Sequence, residues 1–253
     1  MKKISIAISL TWICLIAQAQ EFKVNKSTGR LEIHGLNQVT IEGYGGNEII
    51  FSSRDRDKEK DSRAVGLQAI NSLGLVDNTG LGISVQEKNG VVEVHQLKKM
   101  GAPDIRIQVP KGVTIYVSHQ ATHGSEINFK NVESEIEANV TYASIHLENV
   151  TGPLTAKSVY GHVEANFSTN IKGPISIVSV YGYADVTLPL SIKANLKMST
   201  SYGELYAAPE FKIENERQGD MVRYDDRVTG KINGGGMDIS LNSSYGKIYL
   251  RKK

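Results

Sequence analysis

Cysteine is almost absent from this sequence. The one present, Cys14, lies in the apolar run near the N-terminus, so the rest of the chain can hold neither a disulfide scaffold nor a cysteine nucleophile. Proline is scarce, at 6 against 24 glycines, which predicts many tight turns and few rigid breaks. Long apolar runs are missing as well. The longest, Ile4 to Ile16, is short for a membrane span, and nothing later approaches one. An excess of either charge is also lacking. Without Lys2 and Lys3 the basic residues number 27, equal to the 27 acidic ones. A nucleic-acid partner would call for a basic stripe, so none is expected. No stretch has strong helical amphipathic periodicity, although Ala64 to Leu73 could form a short helix.

The first 19 residues read as a signal peptide. Lys2 and Lys3 form a basic start, Ile4 to Ile16 the apolar stretch, and Ala17-Gln18-Ala19 a small-x-small cleavage site. The expectation is an exported protein, in the periplasm, on the outer surface or secreted, with a mature chain from Gln20. Thr11-Trp12-Ile13 offers no small residue before Cys14, which argues against lipidation.

What the chain has in abundance is one repeated phrase. It reads Tyr142-Ala143, Tyr160-Gly161, Tyr181-Gly182, Tyr202-Gly203 and Tyr245-Gly246, at spacings of 18, 21, 21 and 43. Counted from each tyrosine, position −6 is Ile136, Leu154, Ile175, Leu196 and Ile239. Position −4 is Ala138, Ala156, Ile177, Met198 and Leu241. Position +3 is Ile145, Val163, Ala184, Leu205 and Ile248, and +5 is Leu147, Ala165, Val186, Ala207 and Leu250. All are apolar, and spacing by two within each pair is strand periodicity. The step from −4 to +3 is odd, so one flat strand cannot turn both pairs inward. The chain must bend between them, and glycine tolerates the φ values such a corner can require.

These units predict an all-β fold, a single-stranded β-helix or β-solenoid with rungs of about 20 residues, in which each unit buries its apolar face only by stacking on neighbours. The domain reading is one solenoid over 20–253, with less regular strands over 20–118 and Tyr-Gly rungs over 119–253. An earlier rung anchored at Gly124 would place Ile127 and Phe129 inward. Residues 209–236 break the pattern and are read as an irregular or inserted rung. Lys88-Asn89-Gly90 reads as a hairpin turn, and Arg54 to Arg63 reads as a solvated or flexible charge-rich loop. The N-terminal strands are candidates to cap one end.

Val109-Pro110-Lys111-Gly112-Val113, the Tyr-Gly turns and the closing Gly230-Lys231-Ile232-Asn233-Gly234-Gly235-Gly236 and Ser243-Ser244-Tyr245-Gly246-Lys247-Ile248 together resemble the bacterial "putative adhesin" β-solenoid family, a domain of unknown function similar in style to head-GIN proteins. The likeness covers roughly Leu31 to Leu250. It implies an exported, non-enzymatic β-helix-like protein, and it carries no catalytic residues across.

Two constellations could carry chemistry. Tyr142, Tyr160, Tyr181, Tyr202 and Tyr245 can stack along one edge, with Gly161, Gly182, Gly203 and Gly246 at the corners. This ladder is read as structural. Position +4 holds His146, Glu164, Asp185, Tyr206 and Tyr249, and position +2 holds Ser144, His162, Tyr183, Glu204 and Lys247. These face outward between the +3 and +5 residues, so Tyr183, Tyr206, Tyr249, His146, Glu164 and Asp185 form the candidate binding surface. A pair such as Glu164 and Asp185 could also serve acid-base catalysis in a carbohydrate-active lyase or hydrolase. His119 and His123, spaced as a helical metal pair, fall at a strand end. Gly234-Gly235-Gly236 is read as a turn and not a phosphate loop. The preferred expectation is a binding protein for a glycan or protein of the envelope or host, with no enzyme activity, cofactor, metal or nucleic acid. The alternatives are the carbohydrate-active enzyme and a structural or signalling protein working through 54–63 or 209–236.

Overall fold

The computed structural model describes residues 21–53, 63, 65–67, 70, 72–97, 102–120, 125–215 and 226–253. The predicted leader, most of the charged run, His123, Gly124 and the segment 216–225 lie outside them.

Two long sheets face each other, one strand of each rung in either sheet. Four rungs run in chain order. They are β8 (Gly112–His119) with β9 (Ser125–Lys130), β10 (Ile136–Val140) with β11 (Ala143–Val150), β12 (Leu154–Ser158) with β13 (Val163–Phe167), and β14 (Ile175–Ser179) with β15 (Ala184–Leu188). Within each sheet these strands pair parallel, and the register matches the repeat: Ile136 opposes Leu154, which opposes Ile175, while Ile145 opposes Val163, which opposes Ala184. The −6, −4, +3 and +5 positions fill the space between the sheets, as the periodicity predicts. Ile127 and Phe129 lie there too, in register with Ile145 and Leu147. The exceptions are half-buried Leu205 and exposed Ala207, on the short edge strand β17 (Leu205–Ala207).

The chain order breaks at both ends. The last rung, β20 (Met237–Ser243) with β21 (Ile248–Lys252), does not end the stack. It slots between β14–β15 and the rung formed by β16 (Ala194–Thr200) with β17. At the other end β2 (Thr28–His34) and β3 (Gln38–Tyr44) sit inside the rung made by β6 (Val91–Gln96) and β7 (Ile105–Pro110). Antiparallel strands finish the sheets. β5 (Ile83–Lys88) pairs with β6 through the Asn89-Gly90 turn, whose residues have φ of 51° and 81°. β4 (Ile49–Ser53) pairs with β7, and β1 (Glu21–Val24) with β4. At the far end β19 (Asp226–Ile232) runs back along β16, followed by β18 (Glu214–Asn215).

This corrects the reading of 209–236 as a rung. Its described residues form a 3-10 turn at Pro209–Phe211 and the antiparallel pair β18–β19, which covers the edge of β16. Covering an edge removes a row of unpaired backbone groups. Gly234 and Gly235, with φ of 81° and 86°, make the turn from β19 into β20. No α-helix occurs among the described residues; Ile70, within the stretch considered for one, makes an antiparallel bridge to Val76.

The corner glycines serve a purpose other than the predicted one. None of Gly161, Gly182, Gly203 and Gly246 has a left-handed φ. Each instead lies against the carbonyl of the next corner. A Cβ there would come within 1.8 to 2.2 Å of the oxygen of Ala143, Gly161, Gly246 and Gly182 respectively. Beneath them runs a buried polar column at position −2: Ser158, Ser179, Ser243 and Thr200. Ser243 Oγ donates to Gly182 O at 2.9 Å and accepts from Gly246 N at 3.0 Å, and Ser158 and Thr200 repeat both contacts at their own corners. Hydroxyls thus satisfy backbone groups that the bend takes out of the ladder.

Candidate functional site

The corner tyrosines stack as a column on the rim. Their order is Tyr142, Tyr160, Tyr181, Tyr245, Tyr202, with ring centroids 4.8 to 5.1 Å apart and planes within 9° of parallel. Each ring covers a face of the next.

The predicted surface lies on the outer face of the sheet that contains β9, β11, β13, β15, β21 and β17. Strand register brings the +4 residues into one row: His146 opposes Glu164, Glu164 opposes Asp185, Asp185 opposes Tyr249, and Tyr249 opposes Tyr206. The interleaved last rung therefore places Tyr249 between Asp185 and Tyr206, an order that chain numbering hides. All six predicted residues share the face, in two groups.

The first group is aromatic. Tyr206 stacks on Tyr249 at 5.4 Å and 8°, and Tyr183 meets Tyr249 edge-on at 6.3 Å and 76°. Charged residues from the neighbouring columns frame the rings. Arg251 reaches across to Asp185, contacting both carboxylate oxygens at 2.7 and 2.8 Å, and lies 5.3 Å from the Tyr249 ring centre. Its hydrogen bond to Asp185 raises the guanidinium pKa further. Lys247 Nζ and the Tyr206 hydroxyl each lie 2.7 Å from Glu204 Oε2, which holds that carboxyl below its ordinary pKa.

The second group is built on Glu164. The Tyr183 hydroxyl donates to Oε1 at 2.5 Å, and His146 Nδ1 lies 3.2 Å from Oε2. The Tyr183 hydrogen bond holds the Glu164 carboxyl below its usual range, while burial and the same bond push the Tyr183 phenol up to about 12. His162 joins from the +2 column, with Nε2 3.8 Å from Glu164 Oε1. Its Nδ1 is 3.1 Å from Ser144 Oγ, and its ring stacks on Tyr183 at 4.6 Å and 7°. Burial lowers the His162 pKa, against the neighbouring Glu164 carboxylate, which raises it. Sequence reasoning left His162 out of the candidate surface; the signal was its place in the column beside +4. A groove of about 580 Å³ opens alongside, lined by His146, Glu164, Asp185 and Arg251 among others.

The other sheet carries a second cluster that the sequence did not single out. His34 and His95 stack at 4.8 Å, next to Glu32, Glu93 and Tyr116. His119 is buried, with Nε2 3.3 Å from Asn37 Oδ1.

Two solved structures resemble the chain. One is titled a putative cell adhesion protein from Clostridium sporogenes ATCC 15579, at 14% identity and TM-score 0.47, covering 93% of this chain and 100% of the other. The second is titled a putative adhesin from Bacteroides fragilis NCTC 9343, at 10% identity and TM-score 0.28, covering 94% and 98%. A comparison with curated proteins found no match. Residues 78–251, the greater part of the stack, match the Toastrack DUF4097 family, and the chain belongs to that family.

Proposed function

We propose that this protein is an exported, non-enzymatic binding module, and that it holds an envelope or host partner on the outer face bearing Tyr183, Tyr249 and Tyr206. The observation that carries this reading is the contiguous three-tyrosine group, built across three rungs of a stiff sheet and framed by Arg251 and Lys247. Tyrosine and arginine are enriched where binding energy concentrates, tyrosine because it brings large contact area at little conformational cost.

The ring packing favours a protein over a sugar as partner. Sugars stack on open ring faces. Here His162 covers one face of Tyr183, and Tyr206 and Tyr249 cover one face of each other, so one face of every ring is closed to a sugar.

The paired-carboxylate alternative is less well supported. A general acid needs a raised pKa, and Glu164 is held in the opposite direction. Asp185 has both oxygens engaged by Arg251.

The test is capture from envelope fractions and a glycan array, comparing the native chain with a variant carrying alanine at Tyr183, Tyr206 and Tyr249. Loss of capture with an unchanged β-sheet circular dichroism spectrum supports the site. Capture that survives all three substitutions removes it. Retention of protein capture with no glycan signal fits the ring geometry.

A further inference from the structure

The cluster around Glu164 is arranged for more than hydrogen bonding. His146, His162 and Glu164 each point one ligand-type atom at a common space, and those atoms all lie within 4.8 Å of one another. A hydrogen bond accounts for His146 and Glu164 at 3.2 Å. It does not account for His162 Nε2, which stops 3.8 Å from the carboxylate. The nitrogen of His162 that is hydrogen-bonded is the opposite one, Nδ1, to Ser144 Oγ.

We propose that His146 Nδ1, His162 Nε2 and a Glu164 carboxylate oxygen form a site for a divalent transition metal of the zinc type, open on its groove side.

Two imidazoles and a carboxylate are a ligand set zinc accepts, with a further position left for water or a donor from outside. Ligands about 2.0–2.1 Å from a tetrahedral ion sit about 3.3–3.4 Å from one another, so His146 Nδ1 and Glu164 Oε2, at 3.2 Å, already have that spacing, and binding draws chiefly His162 inward. The backbone need not move much, because His146 and Glu164 are directly opposed on the paired strands β11 and β13.

The surroundings supply the orienting contacts that metal ligands need. With Nδ1–H donating to Ser144 Oγ, His162 presents the Nε2 lone pair. Tyr183 stacks on the same ring and donates to Glu164, so one side chain orients two ligands. The groove beside the cluster adds the acidic side chains of Glu126 and Asp185 and the basic ones of Lys130 and Arg251. The histidines on the opposite sheet serve as an internal control, because His34 and His95 stack face to face instead of converging.

The test is isothermal titration of the chain, free of any histidine tag, with zinc chloride, repeated with cobalt(II) to read visible absorption. The expected result is one equivalent bound, with four-coordinate cobalt bands. His146→Ala and Glu164→Gln each weaken binding at least tenfold, Tyr183→Phe weakens it by about 10–100-fold as an orienting contact, and His34→Ala with His95→Ala leaves it unchanged. No zinc binding at 100-fold molar excess overturns the site. So does binding that survives His146→Ala, or that vanishes in the His34 and His95 variant. The metal alone is the probe, so neither result depends on the partner proposed above.

Discussion

At each Tyr-Gly corner the glycine hydrogen faces a carbonyl oxygen so closely that no side chain fits. Gly182→Ala would set a Cβ 2.2 Å from Gly161 O, with backbone on both sides of the clash. It is expected to destabilise the fold by about 3 kcal/mol, toward the upper end for single substitutions. Gly45→Ala meets nothing within 4 Å and should stay within about 0.5 kcal/mol of the native chain. Chemical denaturation of the two variants checks the contrast. The glycine position was legible in the sequence; its reason was not, because close approach between rungs is invisible until the rungs are stacked. The serine column at −2 escaped for a related reason. Alternation assigns polar residues to the outside, yet Ser158, Ser179 and Ser243 are fully buried to bond the bent backbone. His119 is one of three histidines, with His95 and His162, whose burial ties stability to pH. Burial lowers its pKa, and its Nδ1 finds no partner among the described residues. A group with a lowered folded-state pKa binds its proton more readily when unfolded, so its contribution is complete above the unfolded value of about 6.5 and is lost as pH falls through the folded value. Denaturation midpoints should drop between pH 7 and pH 5, and His119→Gln should flatten that slope. An equal slope in the variant would assign the effect to other groups.

The strands of the regular rungs were readable as elements, whereas β1, β4 and β18 were not. The neighbours of the final rung were not readable either. The −6, −4, +3 and +5 columns give the inward face of every regular rung, and nearly all those residues are buried. Yet the five tyrosine rungs carry the same turn phrase and equivalent apolar positions, so nothing local says that Tyr245 belongs between Tyr181 and Tyr202. Spacing suggested an extra rung over 209–236, whereas the described part of that stretch is an antiparallel cover for β16. The consequence can be measured. In a simple solenoid, loss of the last repeat costs one repeat and one interface. Here, ending the chain at Gly236 removes β20 and β21 from inside the stack and leaves β16 and β17 without their parallel partners. That truncation should lose the cooperative thermal transition or give insoluble protein. A truncated chain that melts cooperatively within a few degrees of the native one would show the interleaving to be dispensable.

For the molecule as a whole, the two sheets divide the labour. Their inner faces make one continuous apolar core, and the outer faces carry variable side chains on an invariant lattice. That is why the candidate surface could be found by subtraction: once the periodic positions are assigned to the core, the +2 and +4 residues are what is left. All six predicted residues do share one face. What periodicity could not supply was their mutual order, and so the contact of Tyr249 with Tyr206, or the approach of His162 to Glu164 from the adjacent column. The antiparallel covers and the tucked-in final rung also bear on how such a protein can lengthen. A repeat duplicated after Lys253 would follow β21, which already has parallel strands on both sides and so offers no edge of its own. A repeat duplicated between β11 and β14 would find a matching neighbour above and below. New length, and with it new binding surface, therefore enters this architecture most directly through its middle.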